Sequence, residues 1–376
     1  MENYGGGLRK RLIISGGERA QRGQLERYFI RLAIEKKKPL VVLHCNNREL
    51  APRRESHALI DGEAYCSDPF METDPQKLAA WLTDLGALTQ AQPRRALGLW
   101  SLILRLLAAV GKLHAEGLMT FPVSSIPEVL AQLPPEHVAF RQEALARYRA
   151  VADLEAEAEL MLHGLKPFLS NRSREHEPIN PAQALERKGT VFFNLGSDTD
   201  KLAKEFVFLF LEDLLKYGRR FMLLMDGVSL SAKDGSMARM LSIGSDGPLV
   251  VFGGDDIPAL LGGDREFFQT LTGNNASAVV LRHSSGESAK MWSGFFGEHD
   301  EAQKSVGRTA TRNKWSLIGG TRSKSVTFTK ERRSIVPEEK ITDLADGRAF
   351  VRVAGQPGLL GLELSAERTN LLPRGE

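Results

Sequence analysis

Where the apolar run Leu12-Ile13-Ile14 gives way to Ser15-Gly16-Gly17, this chain of 376 residues has the start of a phosphate-binding turn. Such a turn relies on three groups. Backbone N–H groups at a helix N-terminus hold the phosphates, a Lys bridges the β and γ positions, and a Ser or Thr hydroxyl ligates Mg2+. Laid on Gly16-Gly17-Glu18-Arg19-Ala20-Gln21-Arg22-Gly23, the pattern GxxxxGK[ST] keeps only its first Gly. Gln21 replaces the second Gly, Arg22 the Lys and Gly23 the hydroxyl residue. Arg22 retains a charge for a phosphate, but Gly23 has nothing to offer a metal. A tight strand-to-helix turn with no ligand is the plainer use of the same residues.

A second chemical signal is an apolar strand ending in an acid, Phe221-Met222-Leu223-Leu224-Met225-Asp226. Nucleotide hydrolysis uses such an Asp to order the metal and a following Glu to polarise the attacking water. Asp226 is present, and Gly227 stands where the Glu would be. An acid at a strand end also caps a following helix equally well. Farther on, Leu249–Gly253 runs into Gly254-Asp255-Asp256, which gives Asp255 the position of a sensor. The two aspartates would either hold Mg2+ or cap a helix beginning near Pro258, and capping is the commoner use.

Between Lys304 and Arg333 basic residues are dense, with Trp315 and Phe328 among them. Phosphate contacts from Arg312, Arg322, Lys324 and Lys330 would line a nucleic-acid path, while a solvated basic loop is the bland alternative. His44, His114, His137, His163, His283 and His299 share no ligand spacing. Cys45 and Cys66 form no CxxC, so no metal site is expected.

The elements that must position these residues follow an α/β order. A helix is expected from Gln21 to Lys37, with Leu25, Phe29, Leu32 and Ala33 on one face, then a buried strand at Pro39–Leu43. From Asp74 to Leu169 strand signals vanish, and helices are expected at Gln76–Leu88, Ala96–Glu116, Pro127–Gln132 and Glu136–Leu169. Asn171–Arg187 reads as a return linker. Strands resume at Thr190–Leu195, followed by a long apolar helix to Lys216, then Phe221–Asp226, Leu249–Gly253, a helix near Pro258–Leu271, and Ser277–Leu281. Ser325–Thr329 and Ala349–Val353 are further strand candidates.

With 50 basic and 47 acidic residues the net charge is +3, which excludes tail-driven nucleic-acid binding and leaves room only for a local patch. Met1–Lys10 contains no hydrophobic stretch. Leu97–Val110, the most apolar run, is interrupted by Arg105 and falls short of the ~20 residues that span a bilayer. The expectation is a soluble, cytoplasmic protein that reaches the inner membrane, if at all, through partners.

The serial order of these parts resembles the TraG/TraD-type coupling proteins of type IV secretion and conjugation, relatives of the FtsK/HerA motors. The turn at Gly16, the Tyr65-Cys66-Ser67-Asp68-Pro69-Phe70 stretch, the helical segment, the acidic strand at Asp226, and the closing run Arg332–Leu344 fall in the family's order. The resemblance implies a RecA-like P-loop NTPase fold with a mostly parallel sheet and an inserted all-α domain. It divides the chain into 1–73 and 171–376 for the motor domain and 74–170 for the insertion. The departures lie in the chemistry: Arg22, Gly23 and Gly227 replace the Lys, the hydroxyl and the base, and the membrane helices usual in the family are missing. The implied function is a pseudo-ATPase component that recruits secretion or conjugation proteins, a relaxosome or an effector, as a homo- or hetero-oligomer. An active ATPase and DNA-translocation motor with a divergent loop is the alternative, and a DNA-binding accessory without nucleotide is a second. No cofactor is expected, with ATP and Mg2+ possible only if the loop functions; the residual nucleotide site would be Gly16, Gly17, Arg22, Gly23 and Asp226.

Overall fold

Leu40-Val41-Val42-Leu43 is apolar at every position because both faces of that strand are covered, and none of the four side chains reaches solvent. It belongs to an eleven-stranded sheet. The computed structural model describes residues 11–47, 49–51, 56–85, 93–170, 176–196, 201–230, 248–273, 276–311, 321–353 and 359–363. In chain order the sheet strands are β1 (Arg11–Ser15), β2 (Leu40–His44), β3 (His57–Ile60), β4 (Glu63–Ser67), β5 (Pro178–Ile179), β6 (Thr190–Asn194), β7 (Met222–Asp226), β8 (Leu249–Gly254) and β9 (Ser277–Val280). A hairpin, β10 (Glu298–Thr311) with β11 (Thr321–Ser334), stands apart from the sheet, and β12 (Arg348–Arg352) and β13 (Leu359–Glu363) complete it.

Spatially the order is β13-β12-β9-β1-β8-β7-β2-β6-β3-β4-β5. The six central strands, β9 to β6, are all parallel. Antiparallel strands close both sides, β12 and β13 beyond β9, and β3 and β4 beyond β6. The chain enters at β1, between β8 and β9. In such a sheet the crevice beside the entry strand, at the carboxyl ends of the parallel strands, is where ligands bind. Register aligns Ser15 with Gly254, Asp226 with Gly253, and His44 with both Asp226 and Asn194, so these residues share one sheet edge.

Helix α1 (Arg19–Glu35) follows β1. Among the described residues, 75–170 holds helices only: α2 (Pro75–Asp84), α3 (Pro93–Ala109), α4 (Ala115–Thr120), α5 (Ile126–Ala131), α6 (Val138–Arg149) and α7 (Glu155–Ser170), with short 3-10 turns. They share one continuous apolar cluster with the sheet. Phe206 is its hub, on the long helix Lys201–Lys216. It stacks on Phe70 at 5.3 Å, meets Trp81 of α2 edge-on at 6.1 Å and touches Phe168 of α7 at 5.9 Å.

Several boundaries differ from the sequence expectation for identifiable reasons. The helix expected over Ala96–Glu116 is two, because Gly111 turns left-handed (φ 67°) and His114 starts a new helix by accepting the Gly117 N–H. The helix expected near Pro258–Leu271 is also two, Ile257–Leu260 and Arg265–Thr272, parted by left-handed Gly262 and Gly263. The linker Asn171–Arg187 contains β5 and a helix, Pro181–Glu186, capped by Asn180. Within the basic stretch, the described residues 304–311 and 321–333 lie on two paired strands.

Candidate functional site

Gly16 and Gly17 make the turn out of β1, both left-handed at φ 87° and 66°. A Cβ on Gly16 would lie 2.7 Å from the Arg282 carbonyl oxygen and 2.8 Å from that of Leu281, so only Gly fits. The amides of this turn are committed inside the protein. Gly16 N–H donates to Gly254 O at 3.1 Å and Gly17 N–H to Arg282 O at 2.7 Å. Glu18 and Gln21 close a capping box, with Glu18 N–H donating to Gln21 Oε1 at 3.3 Å. The Gln21 and Arg22 amides donate to Glu18 O. The helix has therefore already begun at Arg19, and positions 21–23 lie within its first turns rather than at a phosphate mouth. An acid, Glu18, stands at the helix N-terminus where an anion would otherwise be drawn.

The carbonyls of the turn are committed as well. Arg22, almost wholly buried, donates from Nη1 to Gly17 O at 2.8 Å and to Gly16 O at 3.2 Å. A phosphate cradle presents N–H groups to an anion; this turn presents oxygens to a guanidinium. Gly23 faces Glu49, whose Oε2 would lie 2.9 Å from a Cβ there.

Beneath the turn sits Glu26, with no exposed surface, against the backbone of Gly253. A Cβ on Gly253 would fall 1.7 Å from Glu26 Oε1, so β8 needs its glycine to admit the carboxyl. Burial, and then the neighbouring Asp226 charge, push the Glu26 pKa well above its ordinary value, with Arg22 opposing. As a carboxylate Glu26 has no donor to either oxygen among the described residues. Its carboxyl and that of Asp226 both lie against Gly253. Asp226 also accepts from Asn47 Nδ2 at 2.6 Å. Asn47 is oriented in turn by its own N–H on His44 Nδ1 at 3.2 Å and by the Glu49 N–H on its Oδ1 at 3.0 Å. Burial first, then His57 and Arg19, pull the His44 pKa down to about 4, so the ring is neutral at pH 7.

These groups floor an open cleft of about 700 Å3, lined among others by Gly17, Arg19, Arg22, Asn46, Asp226 and Asp255. It thus brings together Gly17, Arg22, Asp226 and Asp255, with Gly16 behind the turn and Gly23 not lining it. The two aspartates divide their tasks. Asp256 caps the helix Ile257–Leu260 through the Ala259 N–H at 3.1 Å and accepts from Ser288 Oγ at 2.7 Å, whereas Asp255 lines the cleft. Of the basic residues, Arg322, Lys324 and Lys330 lie on β11 opposite Ala310, Arg308 and Ala302, and Arg312 lies outside the described residues.

Nothing in the phosphate-loop pattern points to Glu26 or Asn47. The available signal for Glu26 is its i+4 spacing from Arg22 on the face that also buries Ile30 and Ala33. Among the described residues no group of three or more His, Cys, Asp or Glu could hold a metal ion. The residues present do not fit a Mg2+-nucleotide held in the usual way: the Gly16 and Gly17 amides are committed, and the turn lacks the lysine and the hydroxyl.

A parallel sheet entered through a strand, a glycine turn and a helix, with an acid ending a nearby strand, defines the RecA-like P-loop NTPase fold. No family model and no curated protein matches the chain. Solved structures do. The unbound bacterial conjugative coupling protein TrwBΔN70 aligns with a TM-score of 0.55 at 16% identity, over 98% of this chain and 88% of its own. TrwB in complex with ADP and Mg2+ aligns at 0.53 and 16% identity, over 96% and 88%. VirB4 of Thermoanaerobacter pseudethanolicus aligns at 0.47 and 12%, over 95% and 90%. The fold implied by the TraG/TraD resemblance is therefore present, and at these identities the likeness establishes the fold alone. Among the described residues no helix is long and apolar enough to cross a membrane.

Proposed function

We propose that this chain is a non-hydrolysing, coupling-protein-like component of a type IV secretion or conjugation apparatus. In this reading the RecA-like fold is a scaffold, and the helical insertion at 74–170 recruits substrate or partner proteins. The observation that carries the reading is the β1–α1 turn, where the Gly16 and Gly17 amides donate within the protein and Arg22 occupies their carbonyls. TrwB itself has been seen with ADP and Mg2+. A shared fold combined with a closed turn fits a chain that keeps the architecture and has given up the chemistry. Loss of the lysine and of the base would each remove transition-state stabilisation, and each ~1.4 kcal/mol is a factor of ten in rate.

Steady-state ATP turnover with Mg2+ tests the proposal. The wild-type chain and Asp226→Ala are expected to show the same background rate, alone and with proteins co-purified from the host. Turnover that disappears in Asp226→Ala would establish the alternative, a working motor with a divergent loop.

A further inference from the structure

The helices before and after β9, Arg265–Thr272 and Gly286–Phe296, leave a groove of about 300 Å3 between them. The first contributes Arg265, Phe268 and Thr272, a stripe at i, i+3 and i+7; the second contributes Lys290, Met291, Gly294 and Phe295. Trp292, wholly buried, steadies the floor by meeting Phe268 edge-on at 5.0 Å and Phe295 at 5.4 Å. Met291 and Phe295 stay half-buried, so apolar surface opens on the groove. Arg265 and Lys290 are exposed at its rim, and no acid is among the described residues that line it. Arg265 faces Glu287 only at 3.9 Å, with both side chains largely in water, a contact too loose to hold the guanidinium. Gly294 adds an independent sign. A glycine inside a helix weakens it relative to alanine, yet among the described residues a Cβ here would meet nothing within 4 Å. The packing of the chain does not call for a bare backbone at this point, whereas a group entering the groove from outside would.

We propose that this groove takes an acidic segment of a partner protein. A large apolar side chain of that segment sits on Phe268, Met291 and Phe295, and carboxylates beside it pair with Arg265 and Lys290. The two rim cations set the sign of the partner, the apolar floor supplies the anchor point, and Gly294 lets the segment approach the helix closely. Met291 is unbranched and adapts its shape to the anchor. The site goes beyond the recruiting role proposed for the helical insertion. It lies on the other part of the chain and does not depend on the nucleotide reading.

Fluorescence polarisation on the full chain tests this, with a labelled synthetic peptide in which glutamates flank a leucine–phenylalanine anchor. Saturable binding is expected, weakening with salt. It should be lost by a peptide with lysine in place of glutamate and by one with serine in place of the anchor. Arg265→Glu with Lys290→Glu should weaken binding at least roughly tenfold. Gly294→Ala should raise the melting temperature yet weaken peptide binding, a pairing that a glycine kept for the fold would not give. No saturable binding by the wild type, equal binding of the serine peptide, or an affinity untouched by the charge reversal would overturn the proposal. So would a Gly294→Ala chain that binds as well as the wild type. Self-association in sedimentation that Lys290→Glu abolishes would assign the groove to a second copy, and tighter binding of single-stranded DNA than of peptide would assign it to nucleic acid; either result also overturns it.

Discussion

The two sides of the cleft floor differ in opposite ways. On the β1 side, the strand, the glycines and the helix are in place, but the hydrogen bonds run differently from those of a phosphate cradle. The Gly16 and Gly17 amides point into the protein, carbonyls face a guanidinium, and an acid caps the helix. On the β7 side, Asp226 holds its place at the strand end, is aligned by Asn47, and has a buried neighbour in Glu26, whose pKa burial pushes up. The comparison teaches that one fold can fill its turn with a guanidinium while the acid at the neighbouring strand end stays in place.

The largest expected effect comes from treating the two sides alike. Gly16→Ala places a Cβ against fixed carbonyl oxygens at a left-handed φ and should cost about 3 kcal/mol or more in urea unfolding. Gly227 is also left-handed (φ 63°) but has nothing within 4 Å, so Gly227→Ala should cost only about 1 kcal/mol. Similar losses at both would erase the difference between a packed side and an open one.

Next in size is a pH effect at the strand ends. His44 is depressed to about 4 in the folded protein, below the ordinary 6.5. Above pH 6.5 both states are neutral there and nothing is lost. As pH falls toward 4 the unfolded chain takes up a proton that the folded one refuses, so stability drops by up to about 3 kcal/mol. Thermal melts of wild type and His44→Phe across this range should converge at low pH relative to their separation at pH 7.

Arg22→Met removes a guanidinium from two carbonyls and from the neighbourhood of Asp226. It should cost about 2 kcal/mol, and it should not create phosphate affinity, because the amides stay committed. The smallest effect runs the other way. Burial raises the Glu26 pKa above its unfolded value, so the group's contribution is full below the unfolded pKa and declines as pH rises. Glu26→Gln removes that penalty and should raise the melting temperature at pH 7, a gain that fades as pH falls into the ordinary carboxyl range. A destabilised Glu26→Gln at pH 7 would show that the carboxyl is charged and paired.

Much of the sheet was legible because parallel strands covered on both faces announce themselves as continuous apolar runs, as in Leu40–Leu43 and Leu249–Phe252. The β3–β4 hairpin escaped for lack of such a run. Its signal was the dipeptide Asp61-Gly62, and both residues are left-handed as a two-residue hairpin turn requires. Of the β10–β11 ribbon only Ser325–Thr329 was legible as strand, because the rest of its polar arms carries no hydrophobic alternation to read. At the site, the spacing of residue types located Gly17, Arg22, Asp226 and Asp255 on one cleft. It gave no access to which way the backbone amides point, since the motif specifies residues and the direction of a peptide group is set by long-range partners such as Gly254 O and Arg282 O. Glu26 stayed hidden for a related reason: a charged residue on a helix reads as solvent-facing until the sheet beneath it is in place.

Equilibrium binding of Mg2+-ATP to the purified chain, by calorimetry at protein concentrations high enough to detect sub-millimolar affinity, addresses the closed turn most directly. The account predicts no saturable heat for the wild type and none for Arg22→Met. Saturable binding at micromolar ATP, lost when Arg22 is replaced, would mean that the turn opens to receive phosphate and would contradict it.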